Sequence, residues 1–493
     1  MTMPRRPRVA ILGAGAAGLC IGVSMQRLGL DFTIYEKRDG VGGTWRANTY
    51  PGAACDVPSN LYSFSFAPKR DWGRRFPEQP EILAYFEAVA DDFGLRPHLR
   101  LGIEVCRLTF DDESAVWTLD LAGGEQAEAD IVISGLGQLH RPFIPSIAGI
   151  DSFAGPLFHS AQWRHDCDLT GRRVAVIGSG ASAIQFVPPV AAMAEHLTIF
   201  QRSANWIIPK PDRVIEGWRR WLLEHVGATQ KLSRWSTYWR LELNYRLILE
   251  GSLLGRLIKW KATPELERMV TDSVPRDALV PDYSPGCKRV LISNDWYTTL
   301  LRRNVSVELS PIDHIDTDGI VTSDGAHHIA DAIVLGTGFQ TTEFLAPMSV
   351  IGHHGLDLND AWERGAEAYL GISVAGFPNF FMLYGPNTNL GHNSIIFMIE
   401  SQARYISNAI AHMIEHDLDW IDVRPDVMDT YNSQIQRNAA DTVWAGSCSS
   451  WYKNDEGRIT NNWPLSSFGY WRRTRHFWPG DFARHPRRIA VKA

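Results

Sequence analysis

Apolar residues in this chain of 493 fall into two kinds of run. Short continuous runs, R-V-A-I-L-G (8–13), F-T-I-Y-E-K (32–37) and D-I-V-I-S-G (130–135), have the length and β-branched content of strands buried on both faces. The same pattern returns as R-V-A-V-I-G (173–178) and A-D-A-I-V-L-G (330–336). Helical spacing of apolar residues predicts helices over 19–28, 77–93 and 395–412, and within 218–225 and 235–260. Alternation over 103–110 and 116–121 predicts an antiparallel β segment. Strands that alternate with helices in this way give an α/β fold.

The polar punctuation at the strand ends carries the chemistry. The first strand runs into G-A-G-A-A-G, with Gly13, Gly15, Ala16 and Gly18 in a G-x-G-x-x-G pattern, and the strand after the next helix ends in Glu36 and Lys37. Such glycines allow a tight turn and close approach of backbone to a pyrophosphate, the helix N-terminus favours the negative charge, and the acid can accept from ribose hydroxyls. A second unit starts at Gly178, Ser179, Gly180, Ala181 and Ser182, leading to Ala183 in a G-x-G-x-x-A pattern. Glu36 lies 23 residues after Gly13, and the matching position after Gly178 is Gln201, followed by Arg202 and Ser203. Loss of the acid and gain of a guanidinium suit a 2′-phosphate, so NADPH is expected over NADH, with Ser203 as a second phosphate contact. A-D-A-I-V-L-G-T-G (330–338) echoes A-D-I-V-I-S-G-L-G (129–137), and each echo marks the last strand of a nucleotide unit. The second pair lies farther apart, which implies an insertion at 212–285. That span is rich in Trp and Leu and is expected to pack into the core or wall a substrate pocket, in preference to lying on a membrane surface.

Composition narrows the field further. A hydrophobic content of 45% with 21% charged residues is that of a globular chain. A formal net charge of −6 gives no electrostatic reason to expect nucleic acid. Arg472, Arg473 and Arg475 read as solvated surface or ion pairs. The six cysteines include no C-x-x-C pair, against a zinc site, a redox dithiol or a disulfide framework, and no metal is expected. No apolar run reaches the ~18 residues of a membrane-spanning helix, and a cytoplasmic location is expected.

Three motifs together carry a family resemblance. Phe153, Gly155, His159 and Trp163 stand at the spacing F-x-G-x-x-x-H-x-x-x-W, between the two glycine motifs. Trp45, Tyr50, Pro51, Gly52 and Asp56 follow a G-x-W-x-x-x-x-[FY]-P-G-x-x-x-D pattern. Y-S-P-G-C-K-R (283–289) brings Lys288 and Arg289. Taken alone the first stretch could be an ordered interdomain loop. With the other two it resembles the type I Baeyer–Villiger monooxygenases of the class B flavin monooxygenase group.

The resemblance implies an FAD- and NADPH-dependent enzyme that uses O₂ and a C4a-peroxyflavin to turn a ketone into an ester or lactone. It further implies that the second of two Rossmann-like domains is inserted in the first. Residues 1–145 and 377–493 would form the FAD domain, 153–211 and 286–376 the NADP domain, and 212–285 the helical insertion. Arg289 is the implied catalytic cation, oriented by Asp56, and Lys288 a nicotinamide-cofactor contact. Gly43, Thr44, Trp45, Asp56 and Tyr62 would lie along the flavin, Val105 at its adenine end, and Asn387 with Thr388 and Leu390 beside the ring. His159 and Trp163 would couple the connection to domain rotation. Arg164 departs from the pattern, since the heteroatom-oxidising sister group carries a basic residue there. N- or S-oxygenation is therefore the alternative activity. A redox-inert FAD-binding module is a third reading, one that predicts no bleaching of the flavin by NADPH.

Overall fold

The computed structural model describes residues 6–271, 274–446, 452–454 and 456–487. Two five-stranded parallel sheets organise it. The first runs in the order Phe380–Met382, Ile131–Ser134, Arg8–Leu12, Asp31–Glu36, Leu99–Leu101. The second runs Val305–Glu308, His196–Phe200, Arg173–Ile177, Ala332–Leu335, Leu157–His159. The inner strands Ile131–Ser134 and Ala332–Leu335 are buried at every position, as continuous apolar runs in a two-faced sheet must be. The first sheet takes its edge strand Phe380–Met382 from beyond the whole of the second.

The internal echo has a physical basis. Asp130 accepts from the Arg8 backbone N–H at 2.7 Å and pairs with its guanidinium at 3.1 Å. Asp331 does the same for Arg173, at 2.8 and 2.5 Å. Each clamp fixes the register of the last strand of its unit against the first.

Helix Ile395–Glu415 packs on helix Ala16–Leu28, three residues longer than its apolar spacing predicts. The antiparallel segment forms as Val105–Asp111, Val116–Leu121 and Gln126–Ala129, with Ser349–Ile351 along its edge. Trp117 is fully buried there, and its indole N–H donates to the Pro378 carbonyl at 2.8 Å.

The insertion meets expectation only in part. The periodicity over 235–260 is divided into helix Gly227–Glu242, a 3₁₀ turn Leu243–Ile248 and helix Leu253–Glu267, which Ser252 caps through the Gly255 N–H. Trp218, Trp235 and Trp260 stay outside the core, at 69%, 62% and 72% exposed, whereas Tyr238, Leu266 and Leu279 are buried in it, as expected. Among the described residues no helix is long and apolar enough to cross a membrane. Cys20, Cys55, Cys106 and Cys167 are free thiols, whereas Cys287 is disulfide-bonded, in place of the thiol that its isolation in the sequence suggests.

Candidate active site

Residues at the carboxyl ends of strands from both sheets line one cavity of about 1520 Å³, the position where open parallel sheets bind ligands. Both glycine loops reach it. Gly13 has φ +92° and Gly178 φ +108°, and a Cβ would stand 3.0 Å from the Gly135 carbonyl oxygen at the first and 2.4 Å from that of Gly336 at the second. The echoed G-x-G segments are therefore the seats on which the two loops turn.

The donor set fits two dinucleotides. Helix Ala16–Leu28 starts from Gly15 with no side-chain cap and no acid in its first turn. Helix Ala183–Met193 starts from Ser182, also without a side-chain cap. No side chain thus claims the first N–H groups of either helix, and these suit a pyrophosphate. Open space lies where a Gly180 side chain would project. Ala16, Ser179, Ala181 and Ser182 line the cavity. Gly18 does not: a Cβ there would lie 1.8 Å from the Gly13 carbonyl oxygen, so it serves close packing of helix on loop.

Glu36 is buried and lines the cavity, and its two carboxylate oxygens accept from the Ala14 N–H (2.8 Å) and the Arg38 N–H (2.9 Å). It holds the first loop against the second strand. Lys37 and Val105 lie on the same side. Gly43 abuts the glycine loop, with a Cβ there 2.9 Å from Gly15 Cα, and it leads into the short helix Thr44–Ala47. The Trp45 indole N–H donates to the Tyr62 hydroxyl at 2.8 Å. Thr44, Trp45 and Tyr62 all face the cavity.

On the second unit, Lys288 Nζ donates to Ser203 Oγ at 2.8 Å and sits over the Tyr283 ring at 4.7 Å. Burial, and then the neighbouring charge of Arg202, push the Lys288 ammonium below its usual pKa, with Asp282 opposing. Arg202 is exposed at the cavity edge. Two cations and a hydroxyl in one notch match a phosphate dianion.

Asp56 and Arg289 meet at the cavity wall across 233 residues of sequence, with Nε and Nη2 donating to Asp56 Oδ2 at 2.9 and 2.6 Å. The carboxylate charge outweighs desolvation and raises the Arg289 pKa still further. Its positive charge is therefore permanent.

The loop bearing Asp56 is fastened to helix Ala183–Met193 through Gln185, which the sequence reading did not single out. Gln185 Oε1 accepts from the Ala54 N–H (3.2 Å) and the Tyr50 hydroxyl (3.2 Å), and Nε2 donates to the Ala54 carbonyl (3.0 Å). Gly52, at φ +79°, passes so close that a Cβ would lie 2.5 Å from the Gln185 carbonyl oxygen. Phe186 on the same helix touches Tyr50 (5.9 Å between ring centres) and Trp163 (5.5 Å). His159, 1% exposed, accepts from the Ala161 N–H, and burial lowers its pKa. Neither His159 nor Trp163 lines the cavity. Trp163 braces the helix that in turn braces the Asp56 loop, and His159 packs edge-on against Phe339.

Asn387 and Thr388 also stand off the cavity. The Asn387 side chain is buried and donates to the Ile459 and Asn462 carbonyls at 2.8 and 3.2 Å, because its loop must be tied to the C-terminal segment. Leu390, Asn389 and Tyr384 supply the lining instead, and the Tyr384 hydroxyl donates to Asn389 Oδ1 at 2.7 Å. A large polar aromatic directly ahead of the Gly385-Pro386-Asn387 turn is the only signal that could have marked Tyr384. Trp444 donates from its indole N–H to the Gly286 carbonyl at 3.0 Å, supporting the turn ahead of Lys288. Arg164 pairs with Asp166 at the surface at 2.7 Å and does not touch the cavity.

Comparison with known proteins agrees with this geometry. Residues 6–346 match the flavin-binding monooxygenase-like family model. A Baeyer–Villiger monooxygenase of Streptomyces coelicolor is 43% identical over 471 residues, covering 95% of this chain and 91% of the relative. A steroid monooxygenase solved with NADP superimposes with a TM-score of 0.87 at 30% identity, over 98% of this chain and all of that one. OTEMO, solved with FAD and NADP, gives 0.86 at 27% identity, over 95% of this chain and 97% of that one. The chain belongs to the flavin-binding monooxygenase-like family, in its Baeyer–Villiger branch.

Proposed function

We propose that the protein is an FAD- and NADPH-dependent monooxygenase that converts a ketone, O₂, NADPH and a proton to an ester or lactone, NADP⁺ and water. The observation that carries this reading is the Asp56–Arg289 pair, set at the wall of a cavity lined by both glycine loops. Bound FAD would supply acceptance of hydride from NADPH and activation of O₂. Gly13, Gly15, Ala16, Glu36, Lys37, Gly43, Thr44, Trp45, Tyr62 and Val105 would hold it. Gly178, Ser179, Gly180, Ala181, Ser182, Arg202, Ser203 and Lys288 would hold NADP(H). On this reading 1–145 with 377–493 is the FAD unit, 153–211 with 286–376 the NADP(H) unit and 212–285 an insertion. The return of strand Phe380–Met382 to the first sheet supports that division.

The chain's own contribution is electrostatic. A ketone that accepts oxygen develops negative charge on its carbonyl oxygen. Arg289 offers a fixed cation that needs no proton at working pH. Asp56 orients that cation through two hydrogen bonds, and the Gln185 clamp positions Asp56 in turn. Removing such a stabiliser costs about 10²–10³ in rate.

The test is product mass analysis with a panel of ketones and one thioether, alongside an Arg289→Ala variant. Expected are an ester or lactone one oxygen atom heavier than its ketone, and a variant still bleached by NADPH without oxygen but yielding no ester. Sulfoxide formation with every ketone untouched would overturn the ketone assignment. Full ester yield from the variant would overturn the role of Arg289.

A further inference from the structure

Helix Gly227–Glu242 is polar on the side it buries and apolar on the side it exposes. Its buried positions are Gln230, Thr237, Tyr238 and Glu242. Leu232, Trp235 and Trp239, spaced as one helical stripe, are 65%, 62% and 38% exposed, and Leu243, which continues the stripe in the next turn, is 58% exposed. An amphipathic helix on a globular protein normally has the opposite arrangement.

The buried side is firmly committed. The Glu242 carboxylate accepts from Asn393 Nδ2 (2.8 Å), the Ser467 hydroxyl and the Phe468 N–H (3.0 Å), and the Tyr238 hydroxyl bonds Ser467. Burial would raise the Glu242 pKa, yet the His392 ring 3.7 Å away and hydrogen bonds from Phe468, Ser467 and Asn393 hold it at about 2. A rotation of the helix that hid its tryptophans would strand that charge.

These bonds also seat helix Ser467–Thr474 beside it and extend the exposed face. Trp235 touches Trp239 (6.4 Å between ring centres), Trp239 touches Phe468 (5.6 Å), and Phe468 stacks on Trp471 (5.5 Å). Cations rim this aromatic row: Lys231, Arg240, Arg472 and Arg475 are all exposed, and Arg475 lies over the Trp471 ring at 5.3 Å. Among the described residues none of the four meets a carboxylate within 4.0 Å. Across 217–267 the chain holds nine Lys and Arg against five Glu, a surplus of four positive charges in a protein of net charge −6.

We infer that this face binds the surface of an anionic lipid bilayer peripherally. Tryptophan with an apolar body and a polar edge suits the headgroup boundary, and arginine and lysine beside it suit acidic headgroups. A second copy of the chain is a poorer occupant. Two-fold pairing of a patch on itself would set Arg240, Arg472 and Arg475 against their own equivalents, and like charges opposed across an interface are costly.

The test is vesicle flotation of the FAD-loaded full chain at low salt. Vesicles of phosphatidylcholine alone are compared with vesicles carrying added phosphatidylglycerol. Expected is partitioning onto the anionic vesicles, weak association with the zwitterionic ones, and release by salt. Arg240→Glu with Arg475→Glu lowers the anionic partitioning by roughly thirtyfold or more, with the flavin spectrum and ketone turnover unchanged. Trp235→Ala acts on the same face without touching charge and lowers partitioning in both lipids. Failure of the parent protein to float with anionic vesicles overturns the inference. Binding unaffected by both variants removes it from this patch. A concentration-dependent dimer, dispersed by the same variants and indifferent to lipid, would assign the face to a second copy instead.

Discussion

Gln185→Leu tests how the Asp56 loop is positioned. Leucine keeps most of the side-chain volume and removes all three hydrogen bonds, at 3.0 to 3.2 Å, that join Tyr50 and Ala54 to helix Ala183–Met193. Each is worth about 0.5–1.5 kcal/mol net. Ala54 and Gln185 are half-buried, so water can replace part of what is lost, and about 2–3 kcal/mol is the expected total. The loss is local, because Cys55 N–H still donates to the Pro77 carbonyl and Gln79 N–H to that of Ala53. A change of that size shifts the open-to-closed ratio of the loop by about 30- to 150-fold, at roughly 1.4 kcal/mol per tenfold. Peptides covering residues 50–56 should then exchange amide hydrogens faster by a similar factor, with the two sheets unaffected. Since Asp56 orients Arg289, oxygen transfer should fall by about 10- to 100-fold, the range expected for small misplacement of a reacting group. Anaerobic bleaching of the flavin by NADPH should keep the parent rate, and the NADPH consumed without ester should appear as hydrogen peroxide. Unchanged exchange in 50–56 would refute the clamp. Parallel loss of reduction and ester would refute a positioning role and make Gln185 a cofactor contact.

Other perturbations read out different parts of the site. Arg202→Ala should raise KM for NADPH by about tenfold, the low end for an exposed charge-assisted contact, and leave KM for NADH where it was; equal loss for both coenzymes would exclude a 2′-phosphate role. Tyr62→Phe strips the acceptor from the Trp45 indole N–H and should weaken FAD retention by about 1 kcal/mol, near fivefold, measured by flavin release on dilution. Burial raises Asp422 to a pKa of about 7 against backbone hydrogen bonds from Gly376, Phe377 and Val423. A carboxyl whose folded pKa lies above its unfolded value stabilises most below pH 4, and that contribution is lost as pH rises towards 7. Asp422→Asn should therefore flatten the fall in thermal stability between pH 4 and 7, by a few kcal/mol at most.

Much of the architecture follows from local pattern. Continuous apolar strands, glycines at their ends and the next helix lie within about 30 residues, so both nucleotide units can be read directly. The exchange of Glu36 in the first unit for Gln201 and Arg202 in the second is visible by counting, and the Asp130 and Asp331 echo marks two identical clamps on Arg8 and Arg173. The site was less legible where a residue acts through shape. Asn387 stood in the expected segment, but the C-terminal segment claims its amide, and Leu390 and Tyr384 face the cavity. Gln185 looked like an ordinary helical residue, because its two partners lie more than 130 residues away.

The sequence by itself determined the two sheets, the two glycine loops and the preference for a phosphorylated coenzyme. Each depends on backbone conformation and residue type over a short stretch. Only the tertiary structure decided that Asp56 meets Arg289 across 233 residues, and which way the insertion turns. Periodicity says that Leu232, Trp235 and Trp239 share a face. It cannot say whether that face meets protein or solvent, because the answer rests on the buried bonds of Glu242 to Asn393, Ser467 and Phe468, partners supplied by segments more than 150 residues further on.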